Sequence, residues 1–106
     1  MSVNRVILLG YVGSDPEIRY IEKDKAVAFL SLATNETNKN GMESTEWHRL
    51  VFYGETAKIV ERYVKKGTLL YVEGKLSTRE YQDRLKITRK RTEIIVSFFE
   101  ILGRNT

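Results

Sequence analysis

The residues best equipped for chemistry lie in one short run, Thr45-Glu46-Trp47-His48-Arg49-Leu50-Val51-Phe52-Tyr53. Successive side chains of an extended strand point to opposite faces, which divides this run into two unlike sets. Trp47, Arg49, Val51 and Tyr53 share one face; His48, Leu50 and Phe52 share the other. Leu50 and Phe52 suit a core better than an arginine does, so the first set is expected to point outward. Leu69 to Tyr81 divides in the same way, with Leu70, Val72 and Leu76 expected inside and Tyr71, Glu73, Lys75, Arg79 and Tyr81 outside. Aromatic rings interleaved with cations are what an unpaired nucleic-acid strand requires. Flat π-faces stack exposed bases, each worth about 1–3 kcal/mol, and Lys or Arg neutralises phosphates. A duplex offers Trp47 no free base. The competing reading of the same residues buries the aromatics between subunits and leaves the cations as a solvated face.

A second basic element follows. Arg84, Lys86, Arg89, Lys90 and Arg91 place five cations within eight residues, with no acid among them. Such a segment either closes over a bound strand as an electrostatic flap or protects a sheet edge by charge. Catalysis finds little support: His48 is the only imidazole, and neither a cysteine nor a nucleophile-elbow motif accompanies it. Without cysteine, and with one histidine, neither a disulfide framework nor a His/Cys metal site can be built, so no cofactor is expected. His48 is expected to be structural. Gly10-Tyr11-Val12-Gly13 has the spacing of a KH-domain clamp but follows a strand, which makes it a strand end and turn.

The elements that position these groups follow from periodicity. Val3 to Val12 is a strand apolar on both faces, with Val6, Leu8 and Val12 on one and Val3, Ile7, Leu9 and Tyr11 on the other. Gly13 to Pro16 is a turn, and Glu17 to Tyr20 a short returning strand. Ala26 to Thr34 and Ser44 to Tyr53 form a hairpin whose polar tip contains Asn40-Gly41. Thr56 to Lys66 spaces Ala57, Ile59, Val60, Tyr63 and Val64 as a helix, capped by Gly67. Leu69 to Tyr81 and Glu93 to Leu102 are the last two long strands, with Gln82 to Arg91 as a loop or hairpin extension. Three strands, a helix and two strands predict an all-β fold with one helix, a five-stranded Greek-key OB barrel whose helix lies between strands 3 and 4. An SH3-like barrel is the alternative, though it would not ordinarily place a helix there.

At 106 residues the chain has room for one domain, residues 1–106. Its net charge of +4 is mildly basic, and 42% hydrophobic with 30% charged residues is ordinary for a packed globule. No apolar run approaches the roughly 20 residues of a membrane helix, and Met1 to Arg5 has no signal-peptide plan. A soluble, unprocessed, cytoplasmic protein is expected. In so short a chain, the outer apolar face of the first strand is expected to be covered by a second subunit.

These residues carry a resemblance. Val3-Asn4-Arg5-Val6-Ile7-Leu8-Leu9-Gly10, Asp15-Pro16-Glu17-Ile18-Arg19-Tyr20, Thr45-Glu46-Trp47-His48-Arg49 with Tyr53-Gly54, Tyr63-Val64-Lys65-Lys66-Gly67 and Tyr71 to Tyr81 resemble, in order and spacing, the bacterial-type single-stranded DNA-binding proteins (SSB). The resemblance implies an OB fold, usually a homotetramer, that coats single-stranded DNA in replication, recombination and repair near the nucleoid and catalyses nothing. It implies base stacking by Trp47, Tyr53 and Tyr81 and phosphate contacts by Arg49, Lys66 and Arg79, to which the charge pattern adds Lys75, Arg84, Lys86, Arg89, Lys90 and Arg91. It places His48 at a subunit interface, in line with the doubly apolar first strand, and Val3, Arg5, Ile7, Leu9 and Tyr71 are expected at the same interface. Two departures stand out. Asn38 falls where some members have another stacking aromatic, and the sequence given ends at Gly103-Arg104-Asn105-Thr106, where members commonly continue into a linker and an acidic tip. Tail-dependent protein partners are therefore not expected. An OB module docking another replication protein and an RNA-binding OB protein are the rival functions.

Overall fold

Seven elements make up the computed structural model: β1 (Val6–Val12), β2 (Glu17–Glu22), β3 (Lys25–Thr37), β4 (Glu43–Tyr53), α1 (Glu55–Tyr63), β5 (Thr68–Gln82) and β6 (Thr88–Arg104). It describes residues 1–104; Asn105 and Thr106 lie outside the described residues. Hydrogen bonding runs β1-β5-β6-β4-β3-β2, and β1 pairs with β3 as well. The ring β1-β5-β6-β4-β3 thus closes into a five-stranded barrel, antiparallel except where Leu50 and Val51 of β4 meet Ile94 and Ile95 of β6. This is the expected OB barrel. Its helix lies between the third and fourth barrel strands, β4 and β5. The sixth strand, β2, sits outside the ring on β3.

The interior follows from alternation. Leu32, Leu50, Phe52, Leu70 and Val72 are fully buried, and α1 adds Ala57 and Val60, with Val64 just beyond its end. Phe52 meets Phe99 edge-to-face at 5.3 Å, a favourable ring geometry. β1 supplies Val6, Leu8 and Val12 to this core, while Ile7, Leu9 and Tyr11 remain exposed within the single chain.

Closure depends on a glycine. Gly10 pairs with Leu70 on one side, and its neighbour Tyr11 pairs with Ala33 on the other. A Cβ at Gly10 would lie 2.1 Å from the Ala33 carbonyl oxygen. Only glycine lets β1 approach both strands there.

The two hairpin tips share one construction. In the β3–β4 tip, Asn38 Oδ1 accepts from the backbone N–H groups of Asn40 and Met42, and the Asn38 N–H donates to Met42 O. In the β5–β6 tip, Asp83 Oδ1 accepts from Leu85 and Ile87, and the Asp83 N–H donates to Ile87 O. The left-handed position is Gly41 in the first tip and Lys86, at φ 60°, in the second.

Four expectations need correction. β1 begins at Val6, so Val3 precedes it and is exposed. α1 ends at Tyr63 because Val64 turns extended, leaving Lys65 and Lys66 in the following turn. β6 begins at Thr88 rather than Glu93 and pairs with β5 as a ribbon to Gln82, so of the two readings of the basic segment the hairpin extension holds. Leu76, expected inside, is half exposed, because it lies near where that ribbon leaves the barrel.

Gly10→Ala should cost about 3 kcal/mol, because backbone rather than a movable side chain stands where the new methyl would go. Urea denaturation would read this as a lower midpoint at unchanged m-value. An unshifted midpoint would show that the β1–β3 closure has slack.

Candidate nucleic-acid interface

β4 pairs with β3 without interruption from Glu43↔Thr37 to Tyr53↔Val27, which fixes the parity of every β4 side chain. Trp47 and Tyr53 emerge on the outer face, 59% and 52% exposed, and Tyr81 on the β5–β6 ribbon is 39% exposed. At about 3.4 Å per residue, Trp47 and Tyr53 stand roughly 20 Å apart along the strand. Val51, on the same parity, is fully buried in a small outer cluster with Val27 and Phe29. This corrects its assignment to the exposed row.

Phe29 joins two clefts into one groove. The first, about 360 Å³, is lined by Ser14, Asp15, Glu17, Phe29, Trp47 and Arg49 among others. The second, about 210 Å³, is lined by Arg19, Ile21, Val27, Phe29, Tyr53 and Arg79. β2 therefore forms one wall of the groove. The Trp47 ring lies against Gly13, where a Cβ would approach it to 2.3 Å.

The cations of the groove are held in place. Arg49 Nε donates to Glu93 Oε2 at 2.8 Å, and Arg79 Nε lies 3.3 Å from Glu93 Oε1. Glu93 is only 5% exposed, so one buried carboxylate orients two guanidinium groups at the surface. Arg49 and Arg19 also sit over Phe29, 4.6 and 5.1 Å from the ring centre, a cation–π arrangement. Arg91 lies 5.0 Å over Tyr81.

The other expected phosphate contacts are spread more widely. The Lys66 backbone N–H donates to Asp15 Oδ1, which puts Lys66 at the Trp47 end of the groove. Lys75 lines a separate cleft with Asn4, Arg5 and Glu73. Arg84, Lys86, Arg89 and Lys90 are carried on the β5–β6 ribbon, and Asp83, immediately before the basic run, takes Arg89 at 3.0 Å. Arg89 and the Ile87 backbone N–H hold the Asp83 carboxyl below its ordinary value. Its contribution to the tip is therefore complete above the unfolded value near 3.9 and is lost as pH falls through the lowered folded value.

The matching family model, described as the single-strand binding protein family, covers residues 3–102. The chain belongs to this family. The single-stranded DNA-binding proteins of Neisseria meningitidis serogroup A (strain Z2491) and serogroup B (strain MC58) are each 43% identical to it over 107 residues, covering 97% of this chain. The chain spans 62% of the length of these curated relatives. Among solved structures, a Plasmodium falciparum SSB in complex with single-stranded DNA superposes with a TM-score of 0.84 at 33% identity, covering 99% of this chain and 97% of that one.

The residues expected at a subunit interface gather on the outside of β1 and its neighbours, although His48 also lines the Trp47 cleft. Ile7, Leu9 and His48 line one cleft, and His48 Nε2 is 2.9 Å from Thr34 Oγ1. Leu9 pairs with Tyr71, whose hydroxyl donates to Glu73, the same carboxylate that takes Arg5 at 3.0 Å. Tyr71 also stacks edge-on with Phe98.

Phe29, Arg19 and Ile21 in the groove, and Glu93 beneath it, were not singled out by the sequence pattern. The signal for Phe29 was available: Val27 and Phe29 stand on the opposite parity to Ala26, Ala28 and Leu30, so β3 had to be buried on both faces. Nothing local marks Glu93 as the partner of Arg49, 44 positions away.

Arg49→Ala and Arg79→Ala should each cost less than about 1 kcal/mol, since either arginine alone still satisfies Glu93. The double variant should cost about 3–5 kcal/mol, because it strands a buried carboxylate. Urea unfolding of the four chains gives the coupling, and strictly additive costs would show that the carboxylate is not shared.

Proposed function

We propose that this chain binds single-stranded DNA without sequence preference, and that it protects exposed strands in replication, recombination and repair. The observation that carries this is the uncovered groove, in which Trp47 and Tyr53 offer ring faces beside Arg49 and Arg79, with Tyr81 exposed on the adjoining ribbon. Base–aromatic stacking tolerates any base, and guanidinium contacts to phosphate read no sequence. Lys66 and the ribbon cations Arg84, Lys86, Arg89, Lys90 and Arg91 extend the phosphate track, while Lys75 would take phosphate from a separate cleft. The family and the DNA-bound Plasmodium relative support this reading.

The reading is of a binding protein rather than an enzyme, and it calls for no cofactor. It includes a homo-oligomer, a tetramer by family likeness. Exposed Ile7 and Leu9, with His48, Tyr71 and Arg5 close by, form the face that a second copy covers. Val3, exposed just before β1, adjoins that face in sequence. The protein works at the nucleoid, in the cytoplasm.

Titration with oligo-dT should strongly quench Trp47, the only tryptophan. Log affinity should fall with log salt by about 0.7 per neutralised phosphate, and duplex DNA should bind far more weakly. Unchanged emission with no oligonucleotide retained would instead favour a protein-docking module. Trp47→Ala, Tyr53→Ala and Tyr81→Ala should each weaken binding by roughly 1–3 kcal/mol without unfolding the chain. If they dissociated the oligomer and left DNA affinity intact, the two faces would be reversed.

A further inference from the structure

The end of the β5–β6 ribbon exposes two apolar side chains that the groove does not use. Leu85 is 77% and Ile87 47% exposed, and they flank Lys86 at the extreme of a strongly basic arm. The tip is not loose: Asp83 Oδ1 accepts from the backbone N–H of both Leu85 and Ile87, while Oδ2 takes Arg89. Its left-handed position is filled by Lys86, where the sister tip uses Gly41. A non-glycine side chain is disfavoured in that conformation, so a cation stands there against the backbone's preference. Arg84, Lys86 and Lys90 have no ion-pair partner among the described residues.

A rigid apolar point ringed by unpaired cations suits a polyanion that also presents a flat apolar surface. Aliphatic wedges flanked by Lys and Arg insert against base steps in this way. We propose that the tip is a wedge for the junction between single and double strands: Leu85 and Ile87 pack on the terminal base pair while Arg84 and Lys86 hold the diverging backbones. This rests on the single-strand reading above. Tyr81 stands on the same ribbon, one pair short of its end and about 10 Å or three stacked nucleotides from the tip, with the groove residue Arg79 two positions behind it. A strand leaving the duplex end at Leu85 therefore reaches the groove without a gap.

The test compares a labelled dT oligonucleotide with the same dT tail attached to a short stem-loop, both titrated with the full chain. The tailed stem should bind about fivefold more tightly, the size of one partly offset stacking contact. Leu85→Ser/Ile87→Ser should abolish that preference and leave dT affinity within about twofold. 2-Aminopurine in the terminal pair should brighten with the unmodified chain and not with the variant. Equal affinity of the unmodified chain for the two oligonucleotides, or a preference that survives the substitutions, overturns the wedge alone. So does a fall in oligomeric mass with unchanged junction preference, which would make the tip a contact between copies. Absence of dT binding overturns the groove reading and the wedge with it.

Discussion

A five-stranded barrel closes only if one strand serves two partners at once, and here β1 does so over seven residues, pairing with β5 along its length and with β3 at its end. The close approach at Gly10 makes the double pairing possible. Once the ring is shut, each strand has an inside and an outside, and alternation assigns every residue to one of them. The outside of β1 becomes an exposed apolar surface carrying Ile7, Leu9 and Tyr11. The outside of β4 becomes one side of the groove, with β2 opposite.

Within that groove the charges are arranged around one buried acid. Glu93 shares its two oxygens between Arg49 and Arg79, and the Phe29 ring supports Arg49 from below. Long arginine side chains lose about 2 kcal/mol of rotamer entropy when fixed. Much of that loss is incurred on folding here, before any ligand arrives. The cost is electrostatic: two guanidinium groups and one carboxylate present a net charge of +1. Ordering and partial neutralisation thus come from the same contact.

Much of this was legible in the sequence because β4 is a long, unbroken, antiparallel strand. Leu50 and Phe52 face in and Trp47 and Tyr53 face out, as alternation requires. Alternation failed where a third layer intervened: Val51 has outward parity, yet Phe29 and Val27 bury it. It failed again at Leu76, where the ribbon departs and inward parity no longer means a core. The helix was overextended because Lys65 and Lys66 are good helix formers, while Val64, packing into the core, ends the helix by turning extended. β2 was only partly visible, since none of its six residues is fully buried. The grip of Glu93 on Arg49 and Arg79, and of Asp83 on its tip, joins residues through the fold and leaves no periodic trace.

The contact between Trp47 and Gly13 reaches beyond the geometry of one groove. The indole occupies the space that any side chain at position 13 would need. Substitutions at the two positions are therefore physically coupled. A lineage that acquires a side chain at 13 displaces the ring at once and is pressed toward a smaller aromatic at 47, while a lineage that shrinks the ring first makes position 13 free to drift. The order in which such changes can be tolerated is constrained by the space beside a turn, at the edge of the same ring that would stack on a base.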